Sequence, residues 1–167
     1  MRLTALTSTK IEGDIVEEFV RHTLRFVDQV VVVDNGSLDA ASDVLSELQS
    51  EGLPVCVWPG SAVPASADPW TPNARRAFST FETDYLLMLD VDEFLRAPSR
   101  PALEAALEAL GGAHGLVPWT TYLPTPDDDA AEPRVLARIR HRLRHEPRPF
   151  FKGLILQRYA PLSERRH

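Results

Sequence analysis

The sequence predicts an α/β fold, a mostly parallel sheet with helices on both faces, and three observations lead there. Apolar runs of strand length alternate with segments of helical period, the pattern of successive βαβ units. The run VVVV at 30–33 shows no polar alternation, as suits a strand covered on both faces. Turn and cap residues such as Asn35-Gly36-Ser37 fall between these runs. At 167 residues, 44% hydrophobic and 25% charged, the chain is sized for one domain, expected to span residues 1–167.

The elements follow in order. RLTALT (2–7) reads as the first strand. Asp14 then stands as an N-cap before Ile15, Val16, Phe19, Val20, Thr23 and Leu24 at helical spacing. QVVVVD (29–34) is the second strand, and Asp39 can cap a helix to about Gln49 with Val44, Leu45 and Leu48 inward. PVCVW (54–58) is the third strand. PGSAVPASADPWTP forms a loop of a length usually tied to function or mobility. A helix from about Asn73 to Glu82 leads to the strand DYLLMLD (84–90). Pro98-Ser99-Arg100-Pro101 opens a helix over ALEAALEAL that closes at Gly111-Gly112. HGLVPWTTYL (114–123) reads as a further strand. RVLARIRHRLR is ambiguous between helix and strand, and PFFKGLIL is the more strand-like of the two.

Charge divides the chain. Residues 1–133 carry 8 Lys+Arg against 22 Asp+Glu, and residues 134–167 carry 10 against 2. Such a split suggests a cation for the acidic part, and for the basic tail an anion, an acidic surface or the acidic body itself. The net charge of −6 gives no expectation of a nucleic-acid partner. Cys56 is the single cysteine and lies in an apolar run, so a buried thiol and a reducing compartment are expected. The N-terminus offers no signal-peptide stretch, and no segment nears the roughly 20 apolar residues of a membrane span. The expected location is cytoplasmic, at most peripheral at the membrane face.

LLMLDVDEFL (86–95) sets Asp90, Asp92 and Glu93 at the end of a buried strand. Open parallel sheets bind ligands at the carboxyl ends of their strands. Two acids so close repel unless a positive charge lies between them, and carboxylate oxygens suit Mg²⁺ or Mn²⁺. A capped, solvated turn would show the same spacing. VVVDNGSLD (31–39) is a second strand ending in acid, STKIEGDIVEEF (8–19) is a polar turn entering an amphipathic helix, and Arg75 and Arg76 of NARR could reach a phosphate.

Together and in this order these segments resemble the family 2 glycosyltransferases of the GT-A fold, in the subgroup whose metal motif reads Asp-x-Asp-Glu-Phe. The resemblance covers residues 3–96, with a weaker echo at KGLIL (152–156). It implies a nucleotide- and metal-binding part over 1–96 and an incomplete acceptor side over 97–167. It implies that Thr7 and Glu12 hold base and ribose, that Asp34 accepts a hydrogen bond from the base, and that Ser37 and Asp39 shape the loop. Arg75 or Arg76 would contact the diphosphate. Asp92 would ligate Mn²⁺ or Mg²⁺ with Asp90, which also reaches the ribose, and Glu93 and Phe94 would support the pocket. The activity implied is transfer from a nucleotide-diphosphate sugar, metal-dependent and inverting, to an unknown acceptor that could be anionic or lipid-linked.

The sequence departs from that pattern at Ile11, where the family has Asn, and at Leu38 and Ala40 of the second turn. Family members place a general base in a later acidic segment. The clustered acids available here are Asp127, Asp128 and Asp129, for which a solvated loop is the simpler reading. Two rivals stand beside the transferase. One is a truncated GT-A domain that binds nucleotide without transferring sugar. The other is a haloacid dehalogenase-like phosphatase, whose Asp-x-Asp motif, unlike this one, sits near its first strand.

Overall fold

The valine run lies inside the sheet. Gln29–Asp34 forms strand β2, paired in parallel with β1 (Leu3–Thr9) on one side and β3 (Val55–Pro59) on the other. On the far side of β1 runs β4 (Tyr85–Met88), also parallel. The last strand, β8 (Phe151–Leu156), enters antiparallel between β4 and the edge strand β5 (Gly115–Pro118), giving the order β3-β2-β1-β4-β8-β5. The computed structural model describes residues 1–37, 40–60, 70–147 and 150–156, the last three as backbone.

Helices cover both faces. Strand alternation sends Leu3, Ala5, Val30, Val32, Tyr85 and Leu87 to one side, where they meet α1 (Val16–Thr23), α2 (Ala41–Ser50) and α4 (Arg100–Ala109) through Phe19, Leu45, Leu48, Leu103 and Leu107. Leu6, Val31, Val33, Trp58 and Leu86 point to the other side, under α3 (Trp70–Thr80), which contributes Ala74 and Ala77. This second layer is thinner. Arg76 lays its guanidinium over the Trp58 ring at 4.0 Å, and Trp58 stacks on Phe81 at 6.0 Å.

Several expectations need correction. Asp14 does not cap α1: the Glu12 carbonyl takes the N–H groups of both Ile15 and Val16, so a turn precedes the helix and Asp14 points to solvent. Asp39 and Leu38 lie outside the described residues, and α2 begins after Ala40, which offers no side-chain cap. Cys56 is half-buried rather than buried, because it faces the thinner layer. The strand expected over 114–123 is two pieces, β5 and the short β6 (Tyr122–Leu123), which pairs with β7 (His141–Arg142). The ambiguous basic segment resolves into a single helical turn, α5 (Val135–Arg138), followed by β7. By contrast, α4 starts as its sequence implies, with the Ser99 hydroxyl accepting from Ala102 N–H and Pro101 in the first turn. Among the described residues, no helix is long and apolar enough to cross a membrane.

Candidate nucleotide and cation site

The chain leaving β4 is held by its apolar members. Leu89 donates its N–H to the Leu6 carbonyl at 3.0 Å, extending the pairing with β1. Leu89, Val91 and Leu95 are buried in the larger core, which leaves Asp92 exposed and Asp90 half-exposed between them. Phe94 then packs edge-on to Phe19 and His22 of α1, and His22 Nε2–H donates to the Leu95 carbonyl at 2.7 Å. The acidic turn is thus pinned from below by an aromatic contact.

Asp90 and Glu93 hold the turn reciprocally. Asp90 N–H donates to Glu93 Oε2 at 2.8 Å, and Glu93 N–H donates to the Asp90 carbonyl at 2.9 Å. The register of β8 between β4 and β5 brings Lys152 against both acids, its Nζ 2.8 Å from Asp90 Oδ2 and 2.9 Å from Glu93 Oε2. Burial pushes the Glu93 carboxyl above its ordinary range, and the Asp90 N–H and Lys152 ammonium only partly offset this. For Lys152 burial works the other way. Its hydrogen bonds to Asp90 and Glu93 outweigh that cost and hold the ammonium above its ordinary pKa. Glu93 Oε1 is buried and has no hydrogen-bond partner.

The ends of β1 and β2 lie alongside. Glu12 closes the turn after β1 by accepting from Lys10 N–H at 2.7 Å, Ile11 N–H at 3.0 Å and the Thr9 hydroxyl at 3.1 Å, all on Oε2. Ile11 itself is 70% exposed. Burial alone would raise the Glu12 pKa, but these bonds together hold its carboxyl below its ordinary range. The linkage sign follows: a depressed folded pKa gives stability present above the unfolded value and lost as pH falls through the folded one. Glu12→Gln is therefore expected to lower the melting temperature near neutral pH, with the deficit shrinking below pH 4.5, as pH-resolved thermal unfolding can check.

Asp34 Oδ1 accepts from Gly36 N–H at 3.1 Å, Ser37 N–H at 2.8 Å and the Ser37 hydroxyl at 2.7 Å. Ser37 shapes this loop, and Gly36 supplies the positive φ of 82° that the turn requires. Gly60 donates its N–H to the Asp34 carbonyl at 2.7 Å, so close that a Cβ there would collide with Asn35 Oδ1 and come within 2.8 Å of the Asp34 carbonyl oxygen. Gly60→Ala should displace the Asp34–Ser37 turn at a cost of about 1–3 kcal/mol in chemical denaturation.

A cleft opens at these strand ends, lined by Leu6, Thr7, Ser8, Val33, Asn35 and, from the first turn of α3, Trp70 and Asn73. Thr7 is fully buried with Oγ1 unpartnered, so it lies in the cleft's floor. The expected residues thus fall into two groups. Thr7, Glu12 and Asp34 cluster at β1 and β2, and Asp90 and Asp92 follow β4 on the neighbouring side of β1. Arg76 is apart from the second group: Trp58, which it covers, is on β3, three strands or roughly 14 Å from β4, whereas Trp58 pairs in register with Val33, next to Asp34. Arg75 is exposed on the same helix. In the acidic loop Asp128 Oδ2 accepts from Thr125 N–H at 2.6 Å and Oδ1 lies 3.5 Å from His141 Nδ1, while Asp129 accepts from Ala131 N–H at 2.9 Å. Thr125 N–H, then His141, hold the Asp128 carboxyl below its ordinary range.

Two residues escaped the sequence reading. A lone lysine inside PFFKGLIL needed a buried partner, and that was a usable signal for Lys152. Gly60 carried no signal beyond following a strand.

A divalent cation fits this donor set conditionally. The oxygens of Asp90 and Asp92 are hard ligands of the kind Mg²⁺ and Mn²⁺ take, and Glu93 Oε1 is an orphaned buried oxygen beside them. Among the described residues, however, no three His, Cys, Asp or Glu side chains form a group that could hold an ion. The protein would supply two carboxylates, and substrate phosphates the rest, as is usual for Mg²⁺.

Solved structures share the fold. A 4-diphosphocytidyl-2C-methyl-D-erythritol synthase matches with a TM-score of 0.56 at 19% identity, over 94% of this chain and 76% of its own. The corresponding synthase from Anaerococcus prevotii gives 0.51 at 12% identity, over 99% and 78%. A mannosyltransferase from Pyrobaculum calidifontis, solved with GDP-Man and Mn²⁺, gives 0.49 at 19% identity, over 65% of this chain and 32% of its own. The chain spans about a third of the length of the glycosyltransferases it is similar to. No protein-family model and no curated protein matches it. At these identities the two synthases establish the fold alone: a mostly parallel sheet with helices on both faces.

Proposed function

We propose that the chain is a glycosyltransferase domain of the family 2 type, moving a sugar from a nucleotide-diphosphate sugar with inversion. The observation that carries this reading is the alignment of strand ends: β2, β1 and β4 are adjacent and parallel, and each delivers acid or polar side chains to one edge of the sheet. On this reading Asp34 and the Glu12 turn would meet base and ribose, and Asp90 and Asp92 the diphosphate.

Asp90 and Asp92 would hold Mn²⁺ or Mg²⁺ together with the diphosphate. When bound, such a cation supplies positive charge that stabilises the leaving diphosphate. The chain's own part is to fix the two carboxylates through Leu89, Val91 and Phe94, and to exclude water below them. Arg75 or Arg76 of α3, the helix whose first turn lines the cleft, would contact the phosphates. Among the base candidates Asp127 is the one we retain, because Asp128 and Asp129 are spent on their own turn.

The test is chromatographic release of nucleoside diphosphate from UDP- and GDP-sugars in Mn²⁺. Release that requires Asp92 supports transfer or donor hydrolysis. Pyrophosphate release from nucleoside triphosphates, with sugar nucleotides untouched, would instead mark a nucleotidyltransferase. Binding without either reaction would mark a nucleotide-binding domain.

A further inference from the structure

Lys152 is seated where a cation between the acids would be expected, and its seat is built. Its backbone is fixed by pairing with Val117 of β5, and two residues further along β8 Leu154 pairs with Leu87 of β4. The Nζ group bridges Asp90 and Glu93 at 2.8 and 2.9 Å. It also lies 5.5 Å from the centroid of the Trp119 ring, whose π face offers an ammonium a second resting place.

Resting on the diphosphate-site reading above, we propose that Lys152 is a built-in counter-ion that competes with the divalent cation for Asp90. The Asp90 oxygen that accepts from Lys152 cannot also sit at the roughly 2.1 Å that Mg²⁺ or Mn²⁺ demands without bringing two cations into contact. Metal entry at Asp90 Oδ2 therefore requires the ammonium to leave that oxygen, by rotation of its flexible stem toward Trp119. The chain thereby keeps its acids neutralised when no nucleotide is present, and binds metal weakly until diphosphate oxygens complete the coordination.

The test reads metal binding, with no turnover involved. Free Mn²⁺ is followed by electron paramagnetic resonance during titration of the full chain, alone and with UDP or GDP, for the parent, Lys152→Met and Lys152→Arg. Lys152→Met keeps the apolar stem and removes the charge, so it is expected to bind Mn²⁺ on the order of tenfold more tightly than the parent. Lys152→Arg should behave as the parent does. Equal affinity for parent and Lys152→Met, or an equal gain in Lys152→Arg, overturns the proposal while leaving the cation site standing. Absence of Mn²⁺ binding by every form, with or without nucleotide, overturns both. A second measurement needs no variant: the chain holds two lysines, Lys10 and Lys152, so acylation of each can be read by mass spectrometry. Bound Mn²⁺ should raise the reactivity of Lys152 relative to Lys10, and an unchanged ratio in a sample shown to bind Mn²⁺ contradicts the exchange.

Discussion

Asp92→Asn is expected to lower nucleotide release from a sugar nucleotide by roughly 10²–10³-fold. The same change should shift unfolding stability by no more than about 0.5 kcal/mol, because the side chain is exposed on the turn. Steady-state release assays and denaturant titration of the one variant check both halves. The separation matters because Asp90→Asn cannot give it. Asp90 accepts the Lys152 ammonium, so its neutralisation also leaves a partly buried cation with a single carboxylate partner. A variant at Asp90 mixes chemistry with structure, and one at Asp92 does not.

Phe19→Ala is expected to cost about 3–5 kcal/mol of stability, the range for truncating a fully buried phenylalanine. Much of that comes from the cavity under β1 and β2. Part of the consequence should be felt at the site, because Phe19 is the ring on which Phe94 rests, at 6.1 Å between centroids and 69° between planes. Loss of this contact frees the turn that carries Asp90, Asp92 and Glu93. Nucleotide affinity should therefore fall even under conditions where the variant is fully folded, and calorimetry at low temperature can measure that against the loss in denaturation midpoint.

The sequence was most legible where one side-chain pattern meets one environment. The unbroken valines of β2 suited a strand covered on both faces, and the Ser99-Arg100-Pro101 start of α4 carried its own cap. The acids at 90 and 92 were readable as the end of a strand, since apolar neighbours at 89, 91 and 95 turn them outward. What the sequence hid was long-range. Lys152 meets Asp90 from 62 residues away, through an antiparallel insertion of β8 that no local period reveals. Residues taken to bind ligand also turned out to do structural duty. Asp34 and Glu12 each satisfy three donors of their own turns, so their local bonding is as strong a reason for acid at those positions as any nucleotide. Arg75 and Arg76 were indistinguishable as letters, and packing gave Arg76 one contact of its own: helical rotation sets it over Trp58 on β3, on the far side of β1 from Asp90 and Asp92.

The charge asymmetry has a similar resolution. Part of the basic segment folds onto the acidic body: Lys152 binds Asp90 and Glu93, and Leu136 N–H donates to the Glu18 carboxylate. Other basic groups are used locally, Arg134 on Glu132 and Arg140 on the Ala137 carbonyl. An intramolecular role accounts for these residues, and it leaves an anionic acceptor as a question for the release assay with phosphorylated and lipid-linked acceptors present.

The most direct measurement of the central claim is isothermal titration of the chain with UDP and GDP, each with Mn²⁺ and with the metal chelated. If the carboxyl ends of β2, β1 and β4 form a diphosphate site that a cation completes, one nucleotide gives saturable heat with Mn²⁺ and little without it, and Asp92→Asn abolishes the difference. No metal-dependent heat with either nucleotide would contradict the account.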